Sequence, residues 1–195
     1  YRHVLDALDL LRAREPLCLS DADAELVARA SRIALPLMED ANLRYVPRQR
    51  GARLLELGCG AGYIMRHAAS LNAELTLHGV ELDEKVAIMA RDNLVRWGLG
   101  SRAEVRTGDV RTITLPGDYD LITLHNNVYY FAVDERVALL ARLRGMLAPG
   151  GKLVLSTACA GGSVGTTSLD LYWALAESGD RLPWPEELTQ QFRAA

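Results

Sequence analysis

In this 195-residue chain, the run Leu54-Leu55-Glu56-Leu57-Gly58-Cys59-Gly60-Ala61-Gly62 places one carboxyl in an apolar strand that breaks into three alternate glycines. Glycine carries no Cβ and tolerates positive φ, so the backbone can turn tightly there and offer its N–H groups to a ligand at the start of the next helix. That is the pattern of a nucleotide-binding turn, although its G-x-G-x-G spacing differs from the dinucleotide form G-x-G-x-x-G. A carboxylate at Glu56 attracts a cation rather than a pyrophosphate. Further along, Glu81 can accept two hydrogen bonds from a ribose diol or serve as a helix-start carboxylate. Asp109, after Gly108, can accept from an exocyclic amine or form an Asx turn. His125 can take a proton near neutral pH, or pack on a ligand, or cap a turn. Tyr129 and Tyr130 can shape an acceptor pocket or simply fill core.

These residues need a scaffold that gathers them, and the hydrophobic pattern supplies one. After Gly51, short apolar strands alternate with amphipathic helices, the signature of a parallel, doubly wound sheet. Strands are predicted at 53–57, 75–81, 103–107, 119–124 and 152–157, with helices at 63–71, 84–97 and 134–147. Asp134 is the expected N-cap of the last of these, and Pro149-Gly150-Gly151 the expected turn into the last strand. In such a sheet the ligand lies outside the carboxyl ends of the strands, where Glu56, Glu81, Asp109 and His125 all fall. Helices are predicted again at 168–177 and 185–194, with 160–165 as a mobile loop over the pocket mouth or a plain connector. Before Pro47, apolar residues at helical spacing (Val4, Leu5, Leu8, Leu11, then Leu26, Val27, Ala30, Ile33, Ala34) predict a helical N-terminal extension over 1–47, a lid, dimer contact or packing layer.

Composition narrows the function classes. With 49% hydrophobic residues the chain can bury one core, and a net charge of −3 provides no general attraction to nucleic acid or an anionic membrane. Three cysteines, Cys18, Cys59 and Cys159, form no C-x-x-C pair, which fits a reducing, cytoplasmic setting without structural zinc. No apolar run approaches the ~20 residues of a membrane-spanning helix. The chain opens on Tyr1 and closes within a helical pattern, so one domain of a longer protein is expected.

Taken in order, Glu56 to Gly62, Gly79-Val80-Glu81-Leu82-Asp83, Gly108-Asp109-Val110 and Leu143-Arg144-Gly145-Met146-Leu147-Ala148-Pro149-Gly150-Gly151-Lys152-Leu153 resemble the class I methyltransferases that use S-adenosylmethionine. The resemblance covers roughly residues 53–157. It implies a Rossmann-like, mainly parallel sheet with helices on both faces, S-adenosylmethionine as cofactor and S-adenosylhomocysteine as product. Methyl transfer to oxygen or nitrogen of a small molecule follows, with specialised metabolism the natural setting by fold analogy. It further implies that Gly58, Cys59, Gly60 and Gly62 pack against the methionine part, with Glu56 favouring the sulfonium. Glu81 would lie on the ribose hydroxyls and Asp109 with Val110 around the adenine, with Leu82, Gly108, His125 and Asn126 also beside the cofactor. No metal is expected. The family's closing β-hairpin is missing, so the domain over 48–195 is expected to be truncated, with a homodimer or further domains as partners. Asn126-Asn127-Val128-Tyr129 lacks both prolines of the Asn-Pro-Pro-Tyr motif of amino-group methyltransferases. An NAD-linked Rossmann oxidoreductase and a non-catalytic cofactor-binding scaffold remain the alternatives.

Overall fold

A computed structural model describes residues 28, 44–175 and 181–195, so nearly all of the expected N-terminal extension lies outside the described residues. Five strands form one sheet: β1 (Arg53–Leu57), β2 (Thr76–Glu81), β3 (Ala103–Thr107), β4 (Tyr119–His125) and β5 (Leu147–Ser156). Their order is β3-β2-β1-β4-β5, and every pair is parallel. The chain leaves β1 toward β2 and β3, then returns to the other side of β1 with β4, so the switch point falls between β1 and β4. Among the described residues after Gly51 the helices are α1 (Tyr63–Leu71), α2 (Glu84–Arg96), α3 (Arg136–Arg144), α4 (Val164–Leu175) and α5 (Pro185–Ala194), with a 3₁₀ turn at Val128–Tyr130.

The described residues group into two compact units. One holds Ala28, 44–125 and 143–156, and therefore the whole sheet. Because side chains alternate along a strand, the register puts Leu54 and Glu56, Leu77, Gly79 and Glu81, Val105, Leu121, Thr123 and His125, and Val154 and Ser156 on one face. Toward the amino ends that face is apolar and packs on Met65, Ala68 and Ala69 of α1 and Ala87, Ala90 and Leu94 of α2. Toward the carboxyl ends it turns polar. The apolar-to-polar gradient along one face is what builds a core and a site from the same strands.

Strand β5 begins five residues before its predicted start, and the helix expected to reach residue 147 stops at Arg144. Leu147 already pairs with Tyr119, and the register then slips before Leu121 meets Lys152. Gly150, at φ +79, and Gly151 make that bulge possible: a Cβ on Gly151 would lie 2.6 Å from the Tyr119 carbonyl oxygen. So Pro149-Gly150-Gly151 lies within the strand as an irregularity rather than as a turn before it. At its other end α3 starts at Arg136, two residues after the expected cap Asp134.

The second unit contains 126–142, 157–175 and 181–195 among the described residues. Its α4 starts at Val164, four residues earlier than predicted, so 164–165 are helix and not loop. The reason is a reciprocal cap: the Ser163 N–H donates to Thr166 Oγ1 at 2.7 Å, and the Thr166 N–H to Ser163 Oγ at 3.2 Å. Residues 176 and 177 of that predicted helix lie outside the described residues, whereas α5 occupies its predicted span. Arg136 is fully buried, its Nε donating to the Phe131 carbonyl at 3.0 Å and its Nη2 to the Arg181 carbonyl at 3.1 Å. Arg136→Met leaves both carbonyls without these charged donors, and is expected to lower unfolding stability in urea by at least about 2 kcal/mol. An unchanged urea midpoint would show that these bonds contribute nothing net.

Candidate functional site

Three glycines of the turn after β1 adopt the left-handed backbone that sequence reading required: Gly58 at φ +61, Gly60 at +51 and Gly62 at +82. Gly62 is the N-cap of α1, and having no side chain it leaves the helix start to the backbone. Among the described residues the space above Gly60 holds only Ala28, whose Cβ would lie 4.0 Å from an added Cβ. Beneath the turn it is closed. A Cβ on Gly79 would lie 2.9 Å from both Cys59 Sγ and Met65 Sδ, so the buried Cys59 is the floor of the loop rather than part of its surface. Burial, then the Glu81 and Glu56 charges, push the Cys59 thiol well above its usual range.

Glu81 ends β2 and ties the turn to the sheet. Its Oε2 accepts the Gly60 N–H at 2.9 Å, and its Oε1 accepts the N–H groups of Leu82 at 2.9 Å and Asp83 at 3.3 Å. The start of α2 is capped by Asp83, whose carboxylate accepts the Val86 N–H at 3.0 Å. Burial raises the Glu81 pKa while these three backbone donors oppose the rise. Next to it Leu82 is 67% exposed, an apolar side chain held out at the ligand end of the sheet.

Asp109 shows the turn geometry and more. Its Oδ1 accepts the Arg111 N–H at 2.8 Å, the Asx turn weighed above. The Arg111 guanidinium then spans the same carboxylate, Nε at 3.0 and 2.9 Å from the two oxygens and Nη2 at 2.7 Å from Oδ2. That contact holds the Asp109 carboxyl below its usual range. Gly108 is packed tightly, with Ile113 Cδ1 2.9 Å from where a Cβ would stand, and Val110 is buried.

At the switch point a polar cluster crosses three strands. Glu56 is 1% exposed and hydrogen-bonded to the Thr123 hydroxyl; Thr123 also lies 3.2 Å from the Leu55 carbonyl. His125 Nε2 is 3.9 Å from Glu56 Oε2, and its Nδ1 is 2.6 Å from Ser156 Oγ. Desolvation pushes the Glu56 carboxyl up to about 8 and the His125 imidazole down to about 4, so both are neutral near pH 7. The carboxylate charge expected at Glu56 is therefore absent at that pH, because the residue is buried rather than beside solvent. His125 is likewise a much weaker base than a free imidazole. Thr123 and Ser156 escaped sequence reading, yet the signal existed: Thr123 and His125 alternate on β4 and so share the face of Glu56.

The remaining sequence-predicted residues belong to the second unit. Asn126, at φ +51, accepts the Ala158 N–H at 3.2 Å. Tyr129 is buried in a cluster with Ala160, Trp173 and Leu182, its ring stacked on Trp173 at 4.7 Å, and burial pushes its phenol up. Tyr130 meets the same indole edge-on at 4.6 Å while remaining half-buried. Among the described residues no group of His, Cys, Asp and Glu is arranged to hold a metal ion, and no helix is long and apolar enough to cross a membrane.

The arrangement fits an adenosine-containing cofactor on its own terms: a turn of left-handed glycines, a carboxylate fixed at its edge, and an exposed leucine beside it. Comparison with known proteins agrees. Residues 54–151 match the family described as methyltransferase domain. Demethylspheroidene O-methyltransferase of Rhodobacter capsulatus is 29% identical over 186 residues, 94% of this chain and 44% of that protein. PigF, known from a Serratia species and solved with SAH, is similar at 26% identity with a TM-score of 0.66, over 73% of this chain and 44% of that one. A putative O-methyltransferase of Nostoc punctiforme superposes with a TM-score of 0.80 at 20% identity, over 100% of this chain and 62% of that one. The chain thus spans less than half the length of the first curated relative it matches. A match over half its residues, on the strand order and glycine turn described above, means that this chain belongs to the class I S-adenosylmethionine-dependent methyltransferases.

Proposed function

We propose that the protein transfers a methyl group from S-adenosylmethionine to an oxygen atom of a small molecule, in specialised metabolism. The observation that carries the cofactor half is the bond from the Gly60 N–H to Glu81 Oε2, which fixes the glycine turn against a strand-end carboxylate. In this reading the glycine turn receives the methionine part, Glu81 accepts from the ribose hydroxyls, Leu82 and Val110 flank the base, and Asp109 faces its exocyclic amine. Oxygen is favoured over nitrogen by the relatives, named as O-methyltransferases of demethylspheroidene and of ubiquinone biosynthesis.

The bound cofactor supplies an electrophilic methyl on sulfur, and displacement at it is governed by alignment. The chain's own contribution is therefore chiefly binding and orientation. His125 stays neutral and held by Ser156 at the switch point. A reducing, cytoplasmic setting is supported by the three cysteines without a pairing pattern. Calorimetry tests the proposal: S-adenosylhomocysteine should bind with a Kd in the micromolar range, about −8 kcal/mol, while NAD gives no heat. Binding of NAD alone, or of neither, would overturn it. Methylation of a panel of phenols and hydroxylated small molecules then tests the acceptor.

A further inference from the structure

Both oxygens of Asp109 are already engaged by one residue. Oδ1 takes the backbone N–H and Nε of Arg111, while Oδ2 takes Nη2 and shares Nε. A carboxylate has about four lone-pair sites, and this geometry uses nearly all of them. The planar guanidinium fork matches a carboxylate better than a single amine hydrogen does, and it carries charge. A ligand amine approaching Asp109 therefore meets an occupied acceptor.

We infer that Arg111 is a specificity-determining latch on Asp109: its guanidinium must release the carboxylate before the exocyclic amine of the cofactor can bind there. The inference rests on the cofactor reading above. The latch is half-exposed, the Arg111 side chain at 46% and that of Asp109 at 28%, so it opens into solvent without disturbing the core. The backbone bond from the Arg111 N–H survives that opening, so the Asx turn keeps Asp109 in place while its outer lone pairs are freed. In the latched protein the amine gains little over a hydrogen atom at the same position, because each bond to it replaces one from Arg111.

The test compares two ligands on two proteins by calorimetry: S-adenosylhomocysteine, and its analogue with hydrogen in place of the exocyclic amine. An exposed ion pair contributes up to about 1 kcal/mol, so Arg111→Ala should tighten S-adenosylhomocysteine about three- to five-fold and leave the analogue's Kd unchanged. The preference for the amine thus rises by the same factor. Asp109→Ala should abolish that preference in either background, whereas a merely structural role for Arg111 would make Arg111→Ala change both ligands alike and leave the preference unmoved. A preference unmoved or reduced by Arg111→Ala, with S-adenosylhomocysteine still bound by the wild-type protein, overturns the latch alone. Failure of the wild-type protein to bind either ligand overturns the cofactor reading and the latch with it.

Discussion

Replacing Glu56 by glutamine is expected to make the protein more stable at pH 8 and to leave its stability nearly unchanged at pH 4.5. Burial pushes the folded carboxyl up to about 8, whereas an exposed glutamate titrates at 4.5. Between those values the folded state holds a proton that the unfolded chain has lost, so stability falls as pH rises through the window and levels off above it. At pH 7 the penalty amounts to about 3 kcal/mol, and above pH 8 to about 5 kcal/mol. Glutamine has the shape of the protonated acid and removes the penalty. Hydrogen bonding points the same way: one Thr123 proton cannot serve both Glu56 and the Leu55 carbonyl, but a protonated Glu56 can donate to Thr123 while Thr123 donates to Leu55. His125 acts in the opposite sense. Its imidazole is pushed down to about 4 from 6.5, so stability is lost as pH falls from 6.5 toward 4, by about 3 kcal/mol. In Glu56→Gln that acid limb remains, while the raised Glu81 carboxyl still acts in the sense that Glu56 did. Urea denaturation of the ligand-free protein between pH 4.5 and 8.5 measures both limbs, and equal midpoints for the two proteins at pH 8 would refute the buried neutral acid.

Glu56 also marks the limit of what the sequence discloses. Its position before the turn was legible because a charged residue breaks an apolar run; the strand at Arg53–Leu57 was legible as a short apolar run ending at a turn signal, and that at Ala103–Thr107 as apolar and charged residues in alternation before Gly108. Its protonation was not, because that depends on what covers it: Thr123 and His125 are some seventy residues away and meet it only through the β1–β4 register. The same applies to Asp109. Sequence reading offered an amine acceptor or an Asx turn; the structure shows the turn, and only geometry could add the Arg111 fork. At Leu147 helical periodicity continued past the helix, since a leucine suits either element and the deciding bond is its pairing with Tyr119. At Ser163 the cap could have been read from a serine three residues before a threonine, a signal weaker than the Gly-rich composition around it.

Glu81→Ala is expected to weaken binding of S-adenosylhomocysteine about 100-fold, the larger of the ligand effects foreseen here. Two charge-assisted hydrogen bonds to a ribose diol contribute roughly 1.5–3 kcal/mol each before non-additivity, and about 2.8 kcal/mol corresponds to two decades in Kd. The carboxylate can make one of them while keeping all its backbone bonds, because Oε2 holds only the Gly60 N–H and retains a lone pair, and the second takes the place of the Asp83 N–H on Oε1, the longest of the three at 3.3 Å. Alanine also frees that N–H, so part of any loss could come from a loosened turn rather than from the diol. Glutamine separates the two in part: its carbonyl oxygen can still accept from Gly60, while its amide nitrogen takes the acceptor from the Leu82 and Asp83 N–H groups and the charge is gone, and about a 10-fold loss is expected. A cofactor analogue lacking the ribose 2′-hydroxyl completes the comparison. It should bind the wild-type protein at least ~10-fold more weakly than the parent ligand, yet bind Glu81→Ala no more weakly than the parent does. If the alanine protein still discriminates between the two ligands, the diol lies elsewhere and Glu81 serves only the loop; if wild-type and alanine proteins bind S-adenosylhomocysteine equally, the adenosine has been placed at the wrong strand end.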